Sequence, residues 1–136
     1  MIKPIMKSEF FLRLPSEDAG PDDAATGQDL LDTLHEHEHE CVGLAANMIG
    51  VRKRIICVKD GNRALLMYNP QILEQVNAYQ TSEGCLSLAG ERPCTRYRRI
   101  KVEYLDENFV HRIKNFSGYT AEIIQHEIDH CNGIVI

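Results

Sequence analysis

The first regular apolar pattern in the chain lies ahead of the charged run HEHEHE (residues 35–40). Its apolar positions recur at helical spacing and are Leu30, Leu31 and Leu34. A polar stretch punctuated by Pro and Gly, Pro15 to Gly27, comes before them, and Asp22 or Asp23 is suited to cap a helix there. The pattern therefore predicts a loop followed by a helix that ends in HEHEHE.

The middle of the chain contains several candidate β-strands, of which Ile100 to Leu105 alternates apolar and polar residues as a half-buried strand does. Turn signals such as Asp60-Gly61-Asn62 and Asn69-Pro70 separate these segments. Candidate strands cover residues 54–59, 64–68, 72–79, 84–88, 100–105 and 109–116. The first two are predicted to form a hairpin, which Asn69-Pro70 closes. Before them, the small residues of CVGLAANMIG (41–50) indicate a tightly packed turn or loop.

A second helix is predicted near the C-terminus, in TAEIIQHEIDHCNG (120–133). Ser117 or Thr120 can cap its start, and Gly133 can end it. Strands in the middle of the chain with a helix at each side indicate an α+β fold. The length of 136 residues fits a single domain that spans 1–136.

Composition and charge narrow the class of protein. The chain is 43% apolar, which is enough for a globular core, and its formal net charge is -5. A negative charge argues against nucleic-acid binding without specificity, which needs a basic patch. One group of basic residues is interpreted as the solvated face of a strand: Arg92, Arg96, Arg98, Arg99 and Lys101.

The sequence also bears on location. No apolar run approaches the roughly 20 residues of a membrane span. The start of the chain has neither the continuous apolar stretch nor the cleavage site of a signal peptide. We therefore expect a cytoplasmic protein without a membrane partner. The five cysteines, an odd number, do not resemble a disulfide framework, so a cysteine in a polar context is a candidate ligand or nucleophile.

His126 and His130 are four residues apart and so lie one turn apart on one face of the predicted helix. Both imidazoles can then reach one metal ion. With Glu127 they form the H-E-x-x-H pattern of zinc hydrolases, in which the Glu acts on water rather than on the metal. An amphipathic helix that carries these residues by chance is the alternative. The neighbouring Ile123 and Ile124 favour the metal site, because uncompensated histidines are costly in a buried helix.

A hydrolytic metal site needs three protein ligands and one open position. Cys85, in EGCLS (83–87), is the best candidate for the third ligand, because Gly84 lets the backbone approach a ligand closely. A thiolate binds metals strongly and is held deprotonated by them. The alternative for Cys85 is a small buried apolar residue.

HEHEHE has two interpretations as well, a second metal site through His35 and His39 or an exposed helix end.

Three segments together resemble peptide deformylases: a G-φ-G-L-A-A-x-Q loop, an E-G-C-L-S strand and an H-E-x-D-H helix. The matching segments here are CVGLAANM (Cys41 to Met48), EGCLS (Glu83 to Ser87) and HEIDH (His126 to His130). Their order and rough separations agree with the family, and the resemblance runs from about Asp29 to the C-terminus. It implies an α+β fold in which antiparallel strands surround a central C-terminal helix carrying HEIDH.

The resemblance also implies a cofactor and a reaction. Cys85, His126 and His130 would hold one divalent metal ion, usually Fe(II) in the family, with Zn, Ni or Co able to replace it. The reaction would remove the formyl group from the N-terminal formyl-methionine of nascent polypeptides, with Glu127 as general acid/base. Formyl-methionyl nascent peptides would be the substrates, and the ribosome is a candidate partner.

Further site residues follow from the resemblance alone. The backbone N–H of Leu86 would stabilise the oxyanion of the transition state. The substrate cleft would be lined by Val42, Gly43, Gly84, Arg92 and Ile123. Of these, Val42 and Ile123 would belong to an apolar pocket for the methionine side chain. Asp129 is either a residue that supports the site or a carboxylate on the helix surface.

The loop departs from the family pattern at two positions. Met48 replaces the Gln whose side-chain amide is the second oxyanion donor, and a thioether donates no hydrogen bond. Loss of one such donor typically costs about 10²–10³ in rate. Cys41 replaces the first glycine of the loop. Asn47 could supply an amide in place of Gln, although adjacent side chains on an extended segment point apart.

These departures leave more than one function open. The first hypothesis is a metal-dependent hydrolase. The second is a weakly active or non-catalytic deformylase paralogue that binds metal and peptide. A purely structural zinc site is a third and weaker hypothesis, because three ligands leave a coordination position open and Glu127 has no structural reason to stand beside it.

Overall fold

Five antiparallel strands and three helices make up the fold, and the computed structural model describes all residues from 1 to 136. The strands are β1 (Gly43–Ala45), β2 (Ile55–Asp60), β3 (Arg63–Gly84), β4 (Glu91–Leu105) and β5 (His111–Ser117). The helices are α1 (Glu9–Leu12), α2 (Ala24–Glu36) and α3 (Gly118–Cys131), with 3-10 turns at Pro21–Asp23 and Ala46–Ile49. The strands are ordered β1-β2-β3-β4-β5, so each pairs with its neighbour in sequence. The predicted α+β class is confirmed.

Strand β2 is buried on both faces and lies at the centre of the core. Ile56 and Val58 belong to the apolar cluster that contains the buried face of α3. Ile55 and Cys57 belong to the cluster around α2. All four side chains are fully buried, because successive residues of a strand point to opposite faces and both faces of β2 are covered. Helix α3 packs against β1, β2 and β4, which fixes the HEIDH segment relative to the sheet.

Helix α2 forms where the apolar stripe predicts it, with Leu30 and Leu34 buried. Asp23 is its N-cap residue, but the Asp23 carboxylate accepts a hydrogen bond from the N–H of Gly20 at 2.9 Å rather than from the helix. The helix ends at Glu36. Most of HEHEHE therefore lies beyond the helix, in the turn that leads to β1.

Strand β3 runs through Asn69-Pro70, so the prediction that this dipeptide closes the hairpin is wrong. Asn69 adopts a left-handed conformation (φ 53°), and the pairing with β4 shifts register between Tyr68 and Gln71. Pro70 falls inside this irregularity, where its missing N–H does not interrupt the ladder. The Asn69 side chain also accepts from the N–H of Ala19 at 2.7 Å and donates to its carbonyl at 2.9 Å. These bonds stabilise the left-handed conformation of Asn69, so that β3 continues where the sequence pattern predicts the end of a strand.

The segments nearest the site also differ from expectation. CVGLAANMIG contains β1 and a 3-10 turn, since residues 43–45 pair with residues 56–58 of β2. Only Glu83 and Gly84 of EGCLS lie in a strand: β3 ends at Gly84, and residues 85–90 form an irregular connection to β4. This connection leaves the backbone of residues 85 and 86 outside the sheet ladder, where it can face a cleft.

Helix α3 begins directly after Ser117, whose side chain makes no capping bond. The hydroxyl of Thr120, the other predicted cap, donates instead to Asp60 at 3.1 Å. The predicted end is close to Gly133, which adopts a φ of 75° and packs so tightly that a Cβ would lie 2.5 Å from the carbonyl oxygen of Arg13. None of the helices is both long and apolar enough to cross a membrane.

Candidate active site

A cleft of about 960 Å³ opens between α3, the segment around β1 and the β3–β4 connection. Most of the residues that the sequence assigned to the site line it: Val42, Gly43, Gly84, Cys85, Leu86, Ile123, His126 and Glu127. His130 is fully buried next to His126. Three segments that are far apart in the chain therefore meet at one cavity.

His126 and His130 lie on one face of α3, and their Nε2 atoms are 3.2 Å apart. Two nitrogens bound to one tetrahedral ion at about 2.0–2.1 Å would be about 3.3 Å apart, so this separation fits two ligands of one metal. As the side chains stand, no three His, Cys, Asp or Glu residues form a closed ligand set. Cys85 and His126 both line the cleft, and each shifts the pKa of the other.

The protonation of these residues is coupled. Burial alone would lower the pKa of His126, but hydrogen bonds with Cys85 and Glu83 outweigh it and raise the pKa to about 10. Burial alone would raise the pKa of Cys85, yet the bond with His126 and nearby backbone N–H groups lower it. Burial, reinforced by the charge of His126, lowers the pKa of His130 to about 3. His130 is therefore neutral, as a metal ligand must be.

A buried charge network fixes the orientation of His126. Its Nδ1 donates to the Glu83 carboxylate at 2.7 Å. Arg96 donates to the same carboxylate at 2.7 Å and to Asp129 at 2.7 Å. Arg96 is only 4% exposed. Because Glu83 occupies Nδ1, the Nε2 atom of His126 is left to face His130 and the cleft.

Sequence reasoning missed Glu83 and Arg96, and the interpretation of the basic cluster as a solvated face is wrong for Arg96. It holds for Arg98 and Arg99, which are exposed. Strand periodicity places Arg96 on the same face of β4 as the buried Ile100, but it places the exposed Arg98 there too, so the pattern does not single out Arg96. Asp129 forms an ion pair with Arg96 at 2.7 Å, which favours a residue that supports the site over a carboxylate on the helix surface.

Glu127 is 4% exposed, and its Oε1 atom has no hydrogen-bond partner in the protein. Burial raises the pKa of this carboxyl to about 7. A group that changes protonation near neutral pH can take up a proton and return it. Gly43 leaves the space for Glu127, because a Cβ at position 43 would lie 3.0 Å from Glu127 Oε2 and 2.7 Å from Ile123 Cγ2. Gly43 therefore positions Glu127 besides lining the cleft.

The wall of the cleft that Met48 and Leu86 form has no side-chain amide. Met48 is 1% exposed and lines the cleft with a side chain that has no donor. The Asn47 amide donates to the carbonyl of His130 at 2.9 Å, so the idea that Asn47 replaces the missing amide is wrong. The backbone N–H of Leu86 makes no hydrogen bond to another protein group and lies at the cleft. Leu86 is the backbone donor available on this wall.

Arg92 is the one expected substrate contact that does not line the cleft. Its guanidinium lies 4.0 Å from the Glu9 carboxylate. Arg92 lies opposite Glu83 in the register of β3 and β4, near the start of β4. Its neighbour Glu91 reaches the cleft instead.

The residues of HEHEHE pair with one another rather than converge on a point. His35 lies 3.4 Å from Glu38, and His37 lies 2.7 Å from Glu40. The His39 side chain is 95% exposed. This arrangement agrees with the exposed helix end and gives no support to a second metal site.

All five cysteines are free thiols. Cys57 and Cys131 are buried in the two apolar clusters. Cys41 lines the cleft, where burial raises the pKa of its thiol to about 11. Cys41 is therefore a neutral thiol at physiological pH.

Comparison with known proteins agrees with this geometry. Residues 6–136 match the family model described as polypeptide deformylase. The chain is 52% identical over 136 residues to the peptide deformylase of Clostridium beijerinckii, covering 100% of both chains. The crystal structure of the class I type b peptide deformylase from Acinetobacter baumannii bound to Met-Ala-Ser has a TM-score of 0.87 at 31% identity, covering 99% of this chain and 97% of that chain.

The crystal structure of the peptide deformylase from Thermus thermophilus has a TM-score of 0.89 at 33% identity, covering 99% of this chain and 84% of that chain. The matches extend the predicted resemblance towards the N-terminus, from Asp29 to residue 6 and beyond. They also confirm the antiparallel fold with a C-terminal helix. The chain therefore belongs to the peptide deformylase family.

Proposed function

We propose that the protein hydrolyses the formamide bond of formyl-methionyl peptides. The observation that carries this proposal is the convergence of EGCLS and HEIDH on one cleft, which Glu127 lines with a buried Oε1 that has no hydrogen-bond partner. The relatives bear the name peptide deformylase at up to full-length coverage, which supports the same activity here. The 31% identical structure with bound Met-Ala-Ser supports a peptide substrate.

The proposed metal ligands are Cys85, His126 and His130. The 3.2 Å separation of the two Nε2 atoms and the depressed pKa values of Cys85 and His130 suit binding to one ion. The family depends on a metal, and we propose Fe(II) here, with Zn, Ni or Co as replacements; imidazole and thiolate suit these ions better than Mg or Ca. When bound, the ion supplies Lewis acidity and lowers the pKa of water.

The chain's own residues would divide the remaining work. Glu127 would take a proton from the attacking water and deliver it to the departing amine, so water and formyl-peptide yield formate and a free N-terminus. The Leu86 N–H would donate to the oxyanion that develops on the formyl oxygen. Glu83 and Arg96 would take no part in the proton transfer or in binding the oxyanion; they would hold the His126 ring in position.

Binding of the substrate would involve the apolar part of the cleft. We propose that Val42 and Ile123 contact the methionine side chain, while Gly43 and Gly84 allow the peptide backbone to approach. A contact from Arg92 has less support, because Arg92 lies off the cleft lining. Nascent chains in the cytoplasm are the proposed substrates, with the ribosome as a candidate partner. The shared sheet beneath both apolar clusters supports one functional domain over 1–136.

Met48 is the one observation that favours lower activity, and with it the alternative of a weak or non-catalytic paralogue. The names of the relatives give that alternative no support. We therefore expect turnover that is slowed by the loss of a donor rather than abolished.

Formate release from a formyl-Met peptide tests the proposal, using protein loaded with Fe(II) without oxygen. Wild type should turn over at least about 10²-fold faster than Glu127→Ala, since general acid/base catalysis contributes roughly 10²–10⁴. Glu74→Ala is the matched control, because Glu74 is an exposed glutamate on the sheet away from the cleft. Equal rates for wild type and Glu127→Ala would defeat the proposal.

A further inference from the structure

The N-terminal segment crosses the wall of the cleft where the amide donor is missing. The N–H of Met6 donates to the carbonyl of Met48 at 2.7 Å. The next residue, Lys7, reaches further and its Nζ donates to the carbonyl of Leu86 at 2.8 Å. Successive residues of one segment thus tie down both positions that matter for the oxyanion, Met48 and Leu86.

Lys7 is also unusual in its charge. It is the one Lys or Arg side chain that lines the cleft, while six glutamates line it as well: Glu38, Glu40, Glu83, Glu91, Glu122 and Glu127. Lys7 forms no salt bridge with any of them, because no carboxylate lies within 4.0 Å of its Nζ. An ammonium has three donor hydrogens, and the Leu86 carbonyl uses one of them. The positive charge of Lys7 and its two other donor hydrogens can therefore interact with a negatively charged group in the cleft.

Building on the proposed function, we infer that Lys7 is a positioning residue that compensates for Met48. Its bond to the Leu86 carbonyl fixes the backbone whose N–H faces the developing oxyanion. Its positive charge lies on the wall that lacks the amide. Both effects are larger in the transition state than in the ground state, because negative charge develops on the formyl oxygen only during the reaction.

Four metal-loaded proteins test this inference: wild type, Lys7→Met, Met48→Gln and the double variant. Methionine matches the length of the lysine stem and removes only the charge and donors. In the wild-type background, Lys7→Met should lower kcat by about 10- to 30-fold with little change in KM, less than the ~10²–10³ of a directly bound donor. In the Met48→Gln background the same change should lower kcat less than about threefold, because the amide is present again.

Two further variants separate position from charge. Lys7→Arg retains a cation and a donor, so it should keep kcat within a few-fold of wild type. Lys3→Met removes a lysine from the same segment, outside the cleft and 3.9 Å from Asp29, and should leave kcat unchanged. The Lys7 variants should melt within a few degrees of the protein with the same residue at position 48, since Lys7 is exposed.

A readout independent of activity is the carbonyl ¹³C chemical shift of Leu86. It should move upfield in Lys7→Met, which loses the hydrogen bond, and stay in place in Lys3→Met. An unmoved shift, or equal losses of kcat in both backgrounds, would overturn the inference while wild-type turnover upheld the proposed function. Absence of formate release from wild type would instead defeat the proposed function, and the inference with it.

Discussion

The two walls of the cleft are built differently. On the ligand side, which comprises Glu83, Cys85, Arg96, His126, Asp129 and His130, charged groups bond to one another in a buried network. On the oxyanion side, which comprises Lys7, Met48 and Leu86, one exposed lysine bond and one free backbone N–H provide the polar contacts. Each charged group of the ligand side is held by a partner in this network, so the loss of one group leaves another without its partner and disturbs the fold. The oxyanion side has fewer polar contacts, and it is there that Met48 departs from the family's pattern.

The strongest test of this contrast is Arg96→Met. It would leave the nearly buried Glu83 and the partly buried Asp129 without their shared partner, and breaking a buried ion pair typically costs about 3–5 kcal/mol. Denaturant unfolding of the metal-free protein measures the change. Arg99→Met is the matched control, because Arg99 is exposed on the same strand and surface changes typically stay within about 0.5 kcal/mol. Similar stability of the two variants would contradict a buried network.

Gly43→Ala should have a smaller effect that falls on both stability and rate. The new methyl group would meet Ile123 and Glu127 at 2.7 and 3.0 Å, and overpacking typically costs about 1–3 kcal/mol. Displacement of Glu127 should lower kcat more than it raises KM. Gly20→Ala is the matched control, because a Cβ at position 20 would meet nothing within 4 Å. Gly61→Ala is unsuitable, because the φ of 65° at Gly61 would strain an alanine. A Gly43→Ala variant with wild-type kcat would separate Gly43 from the positioning of Glu127.

Metal binding should depend on pH because a residue on the ligand side, His126, is protonated in the metal-free protein. Hydrogen bonds to Cys85 and Glu83 raise the pKa of His126 to about 10, so the metal-free protein holds a proton on this ring at neutral pH. A metal must displace that proton, so affinity should rise with pH by about tenfold per unit until the pKa is reached. Competition with a chelator at several pH values measures this, and calorimetry in buffers of different ionisation enthalpy counts the protons. An affinity that does not change between pH 6.5 and 8.5 would contradict the protonated His126.

The residues that the sequence alone predicts differ from those that it does not predict in the range of their contacts. Helical spacing places His126 and His130 together, and the short motif EGCLS identifies Cys85, because these features are local. Arg96 and Lys7 depend on contacts between distant segments: Arg96 meets Glu83 across a strand pair and Asp129 from α3, and Lys7 meets Leu86 across 79 residues. No local pattern encodes such contacts.

The fold shows a similar limit. Apolar periodicity predicts α2, α3 and the β2–β3 hairpin, since each depends on residues close in sequence. The continuation of β3 through Asn69-Pro70 depends on bonds from Asn69 to Ala19, 50 residues away, and on a register irregularity against β4. Turn residues therefore marked a bulge rather than an end.

The measurement that bears most directly on the account is kcat for formate release by wild type and Met48→Gln, side by side in metal-loaded protein. If the ligand side is complete and the oxyanion side lacks a donor that Lys7 replaces in part, Met48→Gln should raise kcat by about 3- to 10-fold, below the ~10²–10³ of an uncompensated donor. The metal content of the two proteins should match, and the melting temperature of Met48→Gln should be lower, because Met48 is buried in an apolar cluster where an amide is costly. A kcat for Met48→Gln that equals or falls below that of wild type would contradict the account.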